Sequence, residues 1–538
     1  MKKRNKLVAV LLSCCMAVAL FAGCGNNDKG TAENDNNQGE QIEVSEEDKY
    51  GGTLRIGMAA VANNIDPVKY TGVYETAIIE NIGDTLVVYS DDLSEFLPSL
   101  ATEWEVNEAG NEYTFKLRED VYFHPGKFQD GRQMTAEDVK YSLERSHNES
   151  ALARLAMLDH CEVIDDFTVK CVLPNPDASF LPALTNGGNV IVPKEEVEGW
   201  GDEFGAHFVG TGPFMMKEWK TDEAVEFVRS ENFWGGDVYL DGLNFVYITD
   251  INQRVNALKN GDIDSACDLA GEGIEEIKAD NNLVMSQEPG MGVNYIYFNM
   301  ENGPTADIKV RKALQMAVDR DAMCAALYQY GECSPAYLPL PPASWGYDES
   351  LEDLVPKYDV EGAKKLLAEA GYPEGFELEY YTSDSASSKK IGEILQQFCA
   401  KVNVKVNIHQ ASWGTFSEIG ASGNADAIGM SWTWFPDPYF YLNKMFHEES
   451  LGTLGNGQQF NIPEVNELLD KAVEVSDQEE RAKLYKEALK LIVEQYPQID
   501  YCLANINTGL NKKVQNYVVR PDKTIEIAGD GHNVWLAK

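Results

Sequence analysis

The clearest hydrophobic pattern in the chain is an alternation of polar and apolar residues over residues 112–118, Glu-Tyr-Thr-Phe-Lys-Leu-Arg. Alternation with a period of two predicts a half-buried β-strand. A helix is predicted shortly afterwards, because Thr135 and Asp138 have the spacing of a capping box. Val139 and Leu143 lie four residues apart and therefore share one side of that helix. The pattern predicts a strand, a turn-rich connection and a helix.

A second pattern is a strand that ends in an unusually aromatic loop. Residues 427–431 predict the strand, and six of the ten residues from Trp432 to Tyr441 are aromatic. Asp437 lies between two prolines, which exclude a regular helix through that point. Aromatic faces beside one fixed charge suit an organic ligand with an apolar body and a polar end. The alternative interpretation is a small aromatic core beneath a loop.

The N-terminus has the pattern of an export signal. Basic residues 2–6 precede an apolar run over residues 7–21, which is too short to span a membrane comfortably. Small residues before Cys24 resemble a bacterial lipobox, so residues 1–23 are predicted to be a lipoprotein signal peptide and Cys24 the lipidated residue. An ordinary secretory signal is the alternative. Residues 24–49 are almost entirely polar and are predicted to form a disordered tether.

Composition narrows the possible functions. The 538 residues predict two to four domains, and a formal net charge of −42 argues against nucleic acid or an anionic bilayer as partner. The seven histidines show no metal-ligand spacing, and the sequence contains no HExxH, GxSxG or Walker A motif. We therefore expect neither an enzyme nor a metal or other cofactor.

The cysteines after Cys24 give no disulfide framework. There are seven of them, an odd number, and none forms a CxxC pair. Cys161 and Cys171 flank a predicted hairpin turn at residues 165–166 and are candidates to face each other. Free buried thiols are the favoured prediction for all seven.

Several segments resemble one known family. The succession from the strand at 112–118 to the helix after Thr135 resembles the signature region of the family 5 solute-binding proteins of ABC transporters, which bind oligopeptides, dipeptides and nickel. The resemblance extends in the right order over about residues 50–538. The other segments that carry it are residues 165–170, 209–214, 230–234, 293–299, 308–314, 358–373 and 477–481. Within residues 358–373, Asp359 is predicted to cap a helix that ends at Gly371.

The resemblance implies an α+β fold, the two-lobed clamshell of the type II periplasmic-binding proteins with the three-domain architecture of peptide binders. Two crossing strands act as the hinge, and the lobes close over a ligand. The boundaries implied are 50–90, 205–292 and 506–538 for lobe 1 (domain I), 91–204 for domain II and 293–505 for lobe 2 (domain III).

The same resemblance implies a function. We expect a monomeric, lipid-anchored protein on the outer face of the cell membrane that captures short peptides for the permease of an ABC importer. The alternative is a non-peptide solute, either a nickel chelate or an oligosaccharide. In peptide binders of this family, an aspartate three residues after a loop tryptophan pairs with the ligand ammonium. Counted from Trp432, that position is Phe435.

Asp437 has two open roles, since it either replaces that aspartate or only caps the turn. Segment matching adds pocket candidates from the first part of the chain, among them Arg154, which suits either a ligand carboxylate or the surface. The residues that the resemblance places at the ligand are Trp413, Trp432, Trp434, Phe435, Asp437, Tyr70, Tyr74 and Arg154.

Overall fold

The computed structural model describes residues 45–433, 435–529 and 532–538. The predicted signal peptide, Cys24 and most of the predicted tether lie outside these residues. The end of the tether departs from prediction, because Glu46–Lys49 form a short helix whose Glu46 accepts a hydrogen bond from Tyr239 (2.9 Å). Among the described helices, none is long and apolar enough to cross a membrane.

Helices and strands alternate along the chain. The α-helices are α1 (Glu46–Lys49), α2 (Val73–Ile79), α3 (Ala136–Glu149), α4 (Phe180–Leu184), α5 (Lys194–Trp200), α6 (Ile251–Asn260), α7 (Glu272–Lys278), α8 (Ile308–Ala317), α9 (Arg320–Leu327), α10 (Val360–Glu369), α11 (Ala386–Ala400), α12 (Trp413–Ser422), α13 (Tyr439–Phe446), α14 (Pro463–Glu474) and α15 (Gln478–Glu494). Short 3-10 helices cover Gly187–Asn189, Gly201–His207, Pro304–Ala306, Glu349–Leu354 and Glu448–Ser450.

The strands range from two to sixteen residues in length. They are β1 (Thr53–Met58), β2 (Val87–Tyr89), β3 (Phe96–Pro98), β4 (Ala101–Val106), β5 (Glu112–Leu117), β6 (His160–Asp165), β7 (Thr168–Val172), β8 (Phe214–Lys220), β9 (Ala224–Arg229), β10 (Gly242–Tyr247), β11 (Ser265–Ala266), β12 (Leu283–Phe298), β13 (Cys333–Ser334), β14 (Glu377–Ser383), β15 (Lys405–Ala411), β16 (Ala427–Thr433), β17 (Gln498–Asn511), β18 (Val514–Gln515), β19 (Ala528–Gly529), β20 (His532–Asn533) and β21 (Trp535–Leu536).

Two long strands join the halves of the molecule. The main sheet has the order β15-β14-β16-β12-β17-β11-β1-β10-β9-β8. Strands β12 and β17 are antiparallel neighbours in its middle; β12 pairs with β16 on one side, and β17 pairs with β11 on the other. A register shift between Pro289 and Gly292 interrupts their ladder where β12 passes from one half to the other. The crossing strands that the resemblance implied are therefore present.

Separate apolar cores lie on the two sides of this strand pair. Strands β1 and β8–β10 pack with α2 on one side, and a second sheet of order β4-β5-β7-β6 packs against α3 over a core of its own. On the other side, β14–β16 and their helices enclose two further cores. This mixture of sheets and helices around several cores is the predicted α+β, two-lobed fold.

Local predictions from the sequence are confirmed where the capping signals are strong. The Thr135 backbone N–H donates to the Asp138 carboxylate (2.9 Å) at the start of α3. Asp359 accepts from the Gly362 N–H (2.9 Å) at the start of α10. Gly371, just beyond the end of α10, has a φ of +93°, which a residue with a side chain rarely adopts.

A hairpin from the first half also reaches the second. Tyr89 and Leu93, in and beside the hairpin of β2 and β3, are buried among apolar residues of the second half. The Gln478 amide donates to the Ser94 carbonyl (2.9 Å), and the Ala178 N–H donates to the Val473 carbonyl (2.8 Å). The halves therefore touch along this edge as well as through the strand pair.

Candidate functional site

A cavity opens where several strands end against the C-terminal segment. Strands β1 and β11 run parallel, so their carboxyl ends, at Met58 and Ala266, meet at one edge of the sheet. This edge is where ligands commonly bind in sheets with parallel strands. The cavity is small in this structure, with a volume of about 40 Å³, and it opens to solvent. Its polar and aromatic lining residues are Tyr74, Asp268, Thr508, Tyr517, Arg520, Lys523 and Thr524.

Asp268 is the central charged residue of this lining. It follows β11 by two residues and has a left-handed φ of +49°. Its carboxylate accepts hydrogen bonds from the Tyr74 hydroxyl (2.6 Å) and the Lys523 ammonium (2.8 Å). Its backbone carbonyl accepts from Arg254 (3.1 Å). A left-handed φ at a residue other than glycine usually costs free energy, although aspartate adopts it more readily than most residues.

The electrostatics of the cavity keep Asp268 ionised. Burial opposes its negative charge, but Lys523, the Tyr74 hydroxyl and Arg254 outweigh burial and hold the pKa of Asp268 below its usual range. Burial and the neighbouring carboxylate raise the pKa of Tyr74, which therefore remains a hydrogen-bond donor. A carboxylate held in this way can accept an ammonium or guanidinium group from a ligand.

A second cavity adjoins the first and shares Arg520 and Thr524 with it. Its volume is about 90 Å³. Glu80 lines it, and burial, together with the negative charge of Asp522, raises the pKa of Glu80 to about 8. One Glu80 carboxyl oxygen, Oε2, is buried without a hydrogen-bond partner among the described residues. Burial therefore favours the protonated form of Glu80.

Of the predicted residues in the first part of the chain, only Tyr74 lines the cavity beside Asp268. Tyr70 is buried, and its hydroxyl donates to the Asn186 side chain (3.0 Å). The Arg154 guanidinium lies 4.0 Å from the centroid of the Tyr70 ring. It donates to the Tyr70 carbonyl (2.9 Å) and to the Ser150 hydroxyl (3.1 Å). Tyr70 and Arg154 thus form one stacked pair beside α2 rather than part of that lining.

The predicted aromatic residues lie on the second lobe. Trp432 is half-buried at the end of β16, and its indole N–H donates to the Phe440 carbonyl (3.1 Å). The ring of Phe435 packs edge-on against that of Phe440 at 4.9 Å. Trp413 begins α12 and is 60% exposed, with its ring 5.7 Å from that of Phe416. Trp434 lies outside the described residues.

Asp437 is part of the protein interior. It is completely buried, and its two oxygens accept from the guanidinium of Arg481 at 2.8 and 3.1 Å. One oxygen also accepts from the Tyr439 N–H (2.9 Å), at the turn that begins α13. These contacts correspond to the predicted turn cap. They do not correspond to the other predicted role, a contact with a ligand ammonium, because the carboxylate is shielded and already paired.

Sequence reasoning missed Asp268 and Lys523. They lie 255 positions apart in the chain, and no motif connects them. One signal was available for Asp268, since it follows the short apolar strand segment at residues 265–267 and acids at the carboxyl ends of strands often serve binding sites. No group of three His, Cys, Asp or Glu residues suited to a metal occurs in the part of the chain that the structure describes.

Two lobes joined by a pair of long strands can rotate about those strands and enclose a small molecule between them. This is the architecture of a hinged binding protein. The family model of the bacterial extracellular solute-binding proteins, family 5 (middle), matches residues 95–452. The chain therefore belongs to family 5 of the bacterial extracellular solute-binding proteins, a family of transporter components and not of enzymes.

Curated relatives and a solved structure support this assignment over most of the chain. Heme-binding protein A of Haemophilus influenzae is 32% identical over 477 residues, covering 84% of this chain and 86% of the relative. The dipeptide-binding protein of Escherichia coli K12 is 28% identical over 463 residues, covering 81% and 86%. The structure of HbpA2 from Haemophilus parasuis has a TM-score of 0.84 at 28% identity, covering 90% of this chain and all of that one.

Proposed function

We propose that this protein captures short peptides outside the cell and delivers them to the permease of an ABC importer. The observation that carries the proposal is the ionised Asp268 in the lining of the cavity at the strand ends. Its position suits the α-ammonium of a peptide. The name of the dipeptide-binding relative, which matches 81% of the chain, supports the same ligand class.

The proposed mechanism is closure of two lobes about a hinge. Residues 50–90, 205–292 and 506–538 form lobe 1, residues 91–204 domain II, and residues 293–505 lobe 2. Rotation about β12 and β17 is the proposed closing movement, and Trp413, Trp432 and Phe435 of lobe 2 are the residues proposed to meet the ligand from the other side. Only contacts that are stronger in the closed state favour closure, so a ligand must bridge both faces.

We also propose that a lipid anchor attaches the protein to the membrane. Cys24, after the predicted signal peptide, carries the lipid, and residues 25–49 connect it to the folded body. Anchoring keeps a protein that acts as a monomer near its permease. Mass spectrometry of the protein from a membrane fraction tests the anchor. A diacylglyceryl group on Cys24 is expected, and an unmodified N-terminus at another residue would contradict it.

The second candidate ligand is non-peptide. One observation favours it, because the relative with 32% identity is named as a heme-binding protein. Counted from Trp432, Phe435 stands where the family resemblance implies an aspartate, and aromatic residues suit a flat ligand such as a porphyrin. A nickel chelate and an oligosaccharide, the alternatives from the sequence, belong to the same test.

The test combines a ligand change with a residue change. Affinities for a free dipeptide and its N-acetylated form are measured by calorimetry, for the native chain and for Asp268→Asn. If Asp268 binds the ammonium, each change alone lowers affinity by at least about tenfold, and the two together lower it little further. Asp262→Asn, at an exposed aspartate six positions away, is the control and leaves affinity unchanged.

Two other outcomes are informative. Equal affinity of Asp268→Asn and the native chain for the free dipeptide would remove Asp268 from the site while keeping the function. Binding of hemin, followed by its absorbance, with no response to any dipeptide would replace the proposed ligand by the second candidate.

A further inference from the structure

Two cysteines face each other at the edge of the second sheet. Cys161 on β6 is directly opposite Cys171 on β7, and β6 is the edge strand of the order β4-β5-β7-β6. Both residues are buried in the core beneath α3, and their sulfur atoms lie 3.5 Å apart. Sulfur atoms at this separation are in direct contact.

The backbone hydrogen bonds of Cys161 show which type of position the two cysteines occupy in the antiparallel strand pair. The Cys161 N–H donates to the Glu144 carboxylate (3.0 Å), and its carbonyl accepts from the Lys140 ammonium. Both partners belong to α3, so the backbone polar groups of Cys161 point away from β7. In an antiparallel pair, this orientation identifies a non-hydrogen-bonded position, where the two Cα atoms are only about 4.5 Å apart. That separation lies within the range that a disulfide spans.

We propose that Cys161 and Cys171 form a reversible disulfide that fastens the edge hairpin of the second sheet. The two thiols lose two protons and two electrons as one sulfur–sulfur bond forms. The oxidant is a small-molecule or protein disulfide, whose own sulfur–sulfur bond breaks to give two thiols, so atoms and electrons balance. The oxidant reaches the pair when the edge strand opens, since both sulfurs are buried in the folded state.

The position of this disulfide, at the edge strand β6, determines its effect on stability. Strand β6 has only one strand neighbour, and its other edge is held by side chains from α3. A bond from Cys161 to Cys171 closes a short loop through the turn at residues 166–167. It therefore restricts the local opening of this hairpin and leaves the hinge strands untouched.

The experiment uses the purified full chain, equilibrated with either reduced or oxidised glutathione. Free thiols are then alkylated in denaturant, and the peptides are identified by mass spectrometry. The oxidised sample is expected to contain Cys161 and Cys171 as one linked peptide pair, and the reduced sample to contain both alkylated. Hydrogen exchange of the amides in residues 160–172 is expected to be at least about tenfold slower in the oxidised sample.

Variants provide the matched control. In the double variant Cys161→Ser and Cys171→Ser, the effect of glutathione on exchange in residues 160–172 should disappear. Cys399→Ser, which removes a buried thiol of the second lobe, should preserve it. Complete alkylation of Cys161 and Cys171 in the oxidised native chain would overturn the proposal, as would linkage only among Cys324, Cys333 and Cys502. Both of these results come from the native chain and do not depend on the folding of a variant.

Discussion

Asp437 and Asp268 are both aspartates that face a cation, yet their surroundings differ. The Asp437 carboxylate and the Arg481 guanidinium have exposed fractions of 0% and 2%, and two parallel hydrogen bonds join them. Asp268 and Lys523 retain 27% and 42% of their side-chain exposure and share a single hydrogen bond of 2.8 Å. The first pair is fully enclosed, and the second lines a cavity.

The difference separates a structural ion pair from an exchangeable one. A bidentate arginine–carboxylate pair away from water has a fixed geometry, and each charge needs the other. An exposed lysine contributes little to stability, and its flexible ammonium can be displaced by the cation of a ligand. The comparison therefore indicates a structural role for Asp437 in lobe 2 and agrees with the binding role proposed for Asp268.

The largest expected effect comes from breaking the enclosed pair. Replacing Arg481 by Leu leaves the Asp437 carboxylate buried without its cation, which should lower the free energy of unfolding by about 3–5 kcal/mol. Chemical denaturation followed by tryptophan fluorescence measures this loss. Lys471→Ala, which removes an exposed pair with Glu467, is the control and should change stability little. Comparable losses in the two variants would mean that the enclosed pair has no special structural role.

A buried acid that makes no salt bridge within the described residues sharpens the comparison, and Glu80 provides it. Its pKa in the folded state is about 8, whereas the unfolded chain releases this proton near pH 4.5. The folded state therefore holds an extra proton between these values, and stability falls as pH rises through them. Each pH unit in that interval contributes about 1.4 kcal/mol, and partial solvent access reduces the total to about 2–3 kcal/mol.

Glu80→Gln tests that sign, because glutamine stays neutral. The variant should equal the native chain at pH 4, and at pH 9 its free energy of unfolding should be higher by about 2–3 kcal/mol. Denaturation curves at both pH values measure the difference, and Glu108→Gln at an exposed position is the control. A lower stability of the variant at pH 9 would show that Glu80 is ionised in the folded protein, with Arg520 as its partner.

Much of the fold follows from local signals. The alternation at residues 112–118 predicts β5, and the capping residues Thr135 and Asp359 predict the starts of α3 and α10, because these signals act between residues close in sequence. The two-lobed organisation follows from the family resemblance rather than from periodicity. The burial of Tyr89 and Leu93 in the core of the other lobe was not predictable locally, because it depends on the tertiary packing of the hairpin.

The residues of the candidate site were less predictable, because they too are brought together only by tertiary packing. Tyr74, a predicted site residue, lines the cavity, but its hydrogen-bond partner Asp268 is 194 positions away, and only the fold brings them together. Asp437 is the only carboxylate in the aromatic stretch, and for that reason it was a predicted ligand contact. In the structure, Asp437 is paired with Arg481, which lies 44 positions later in the chain. Nothing in the local sequence pattern indicates this pairing.

The smallest effect on stability is expected at Trp413, which tests whether lobe 2 contributes binding as lobe 1 does. Its side chain is 60% exposed, so Trp413→Ala should change the free energy of unfolding by less than about 0.5 kcal/mol. Trp432→Ala, at a half-buried ring with a hydrogen bond to Phe440, should cost more and serves as the contrast. If the lobes close on the ligand, Trp413→Ala lowers affinity severalfold in calorimetry despite its negligible effect on folding. If Trp413→Ala leaves affinity unchanged while Asp268→Asn lowers it, the ligand is held from the lobe 1 side alone. The free energy that favours closure would then have to come from contacts other than those with Trp413.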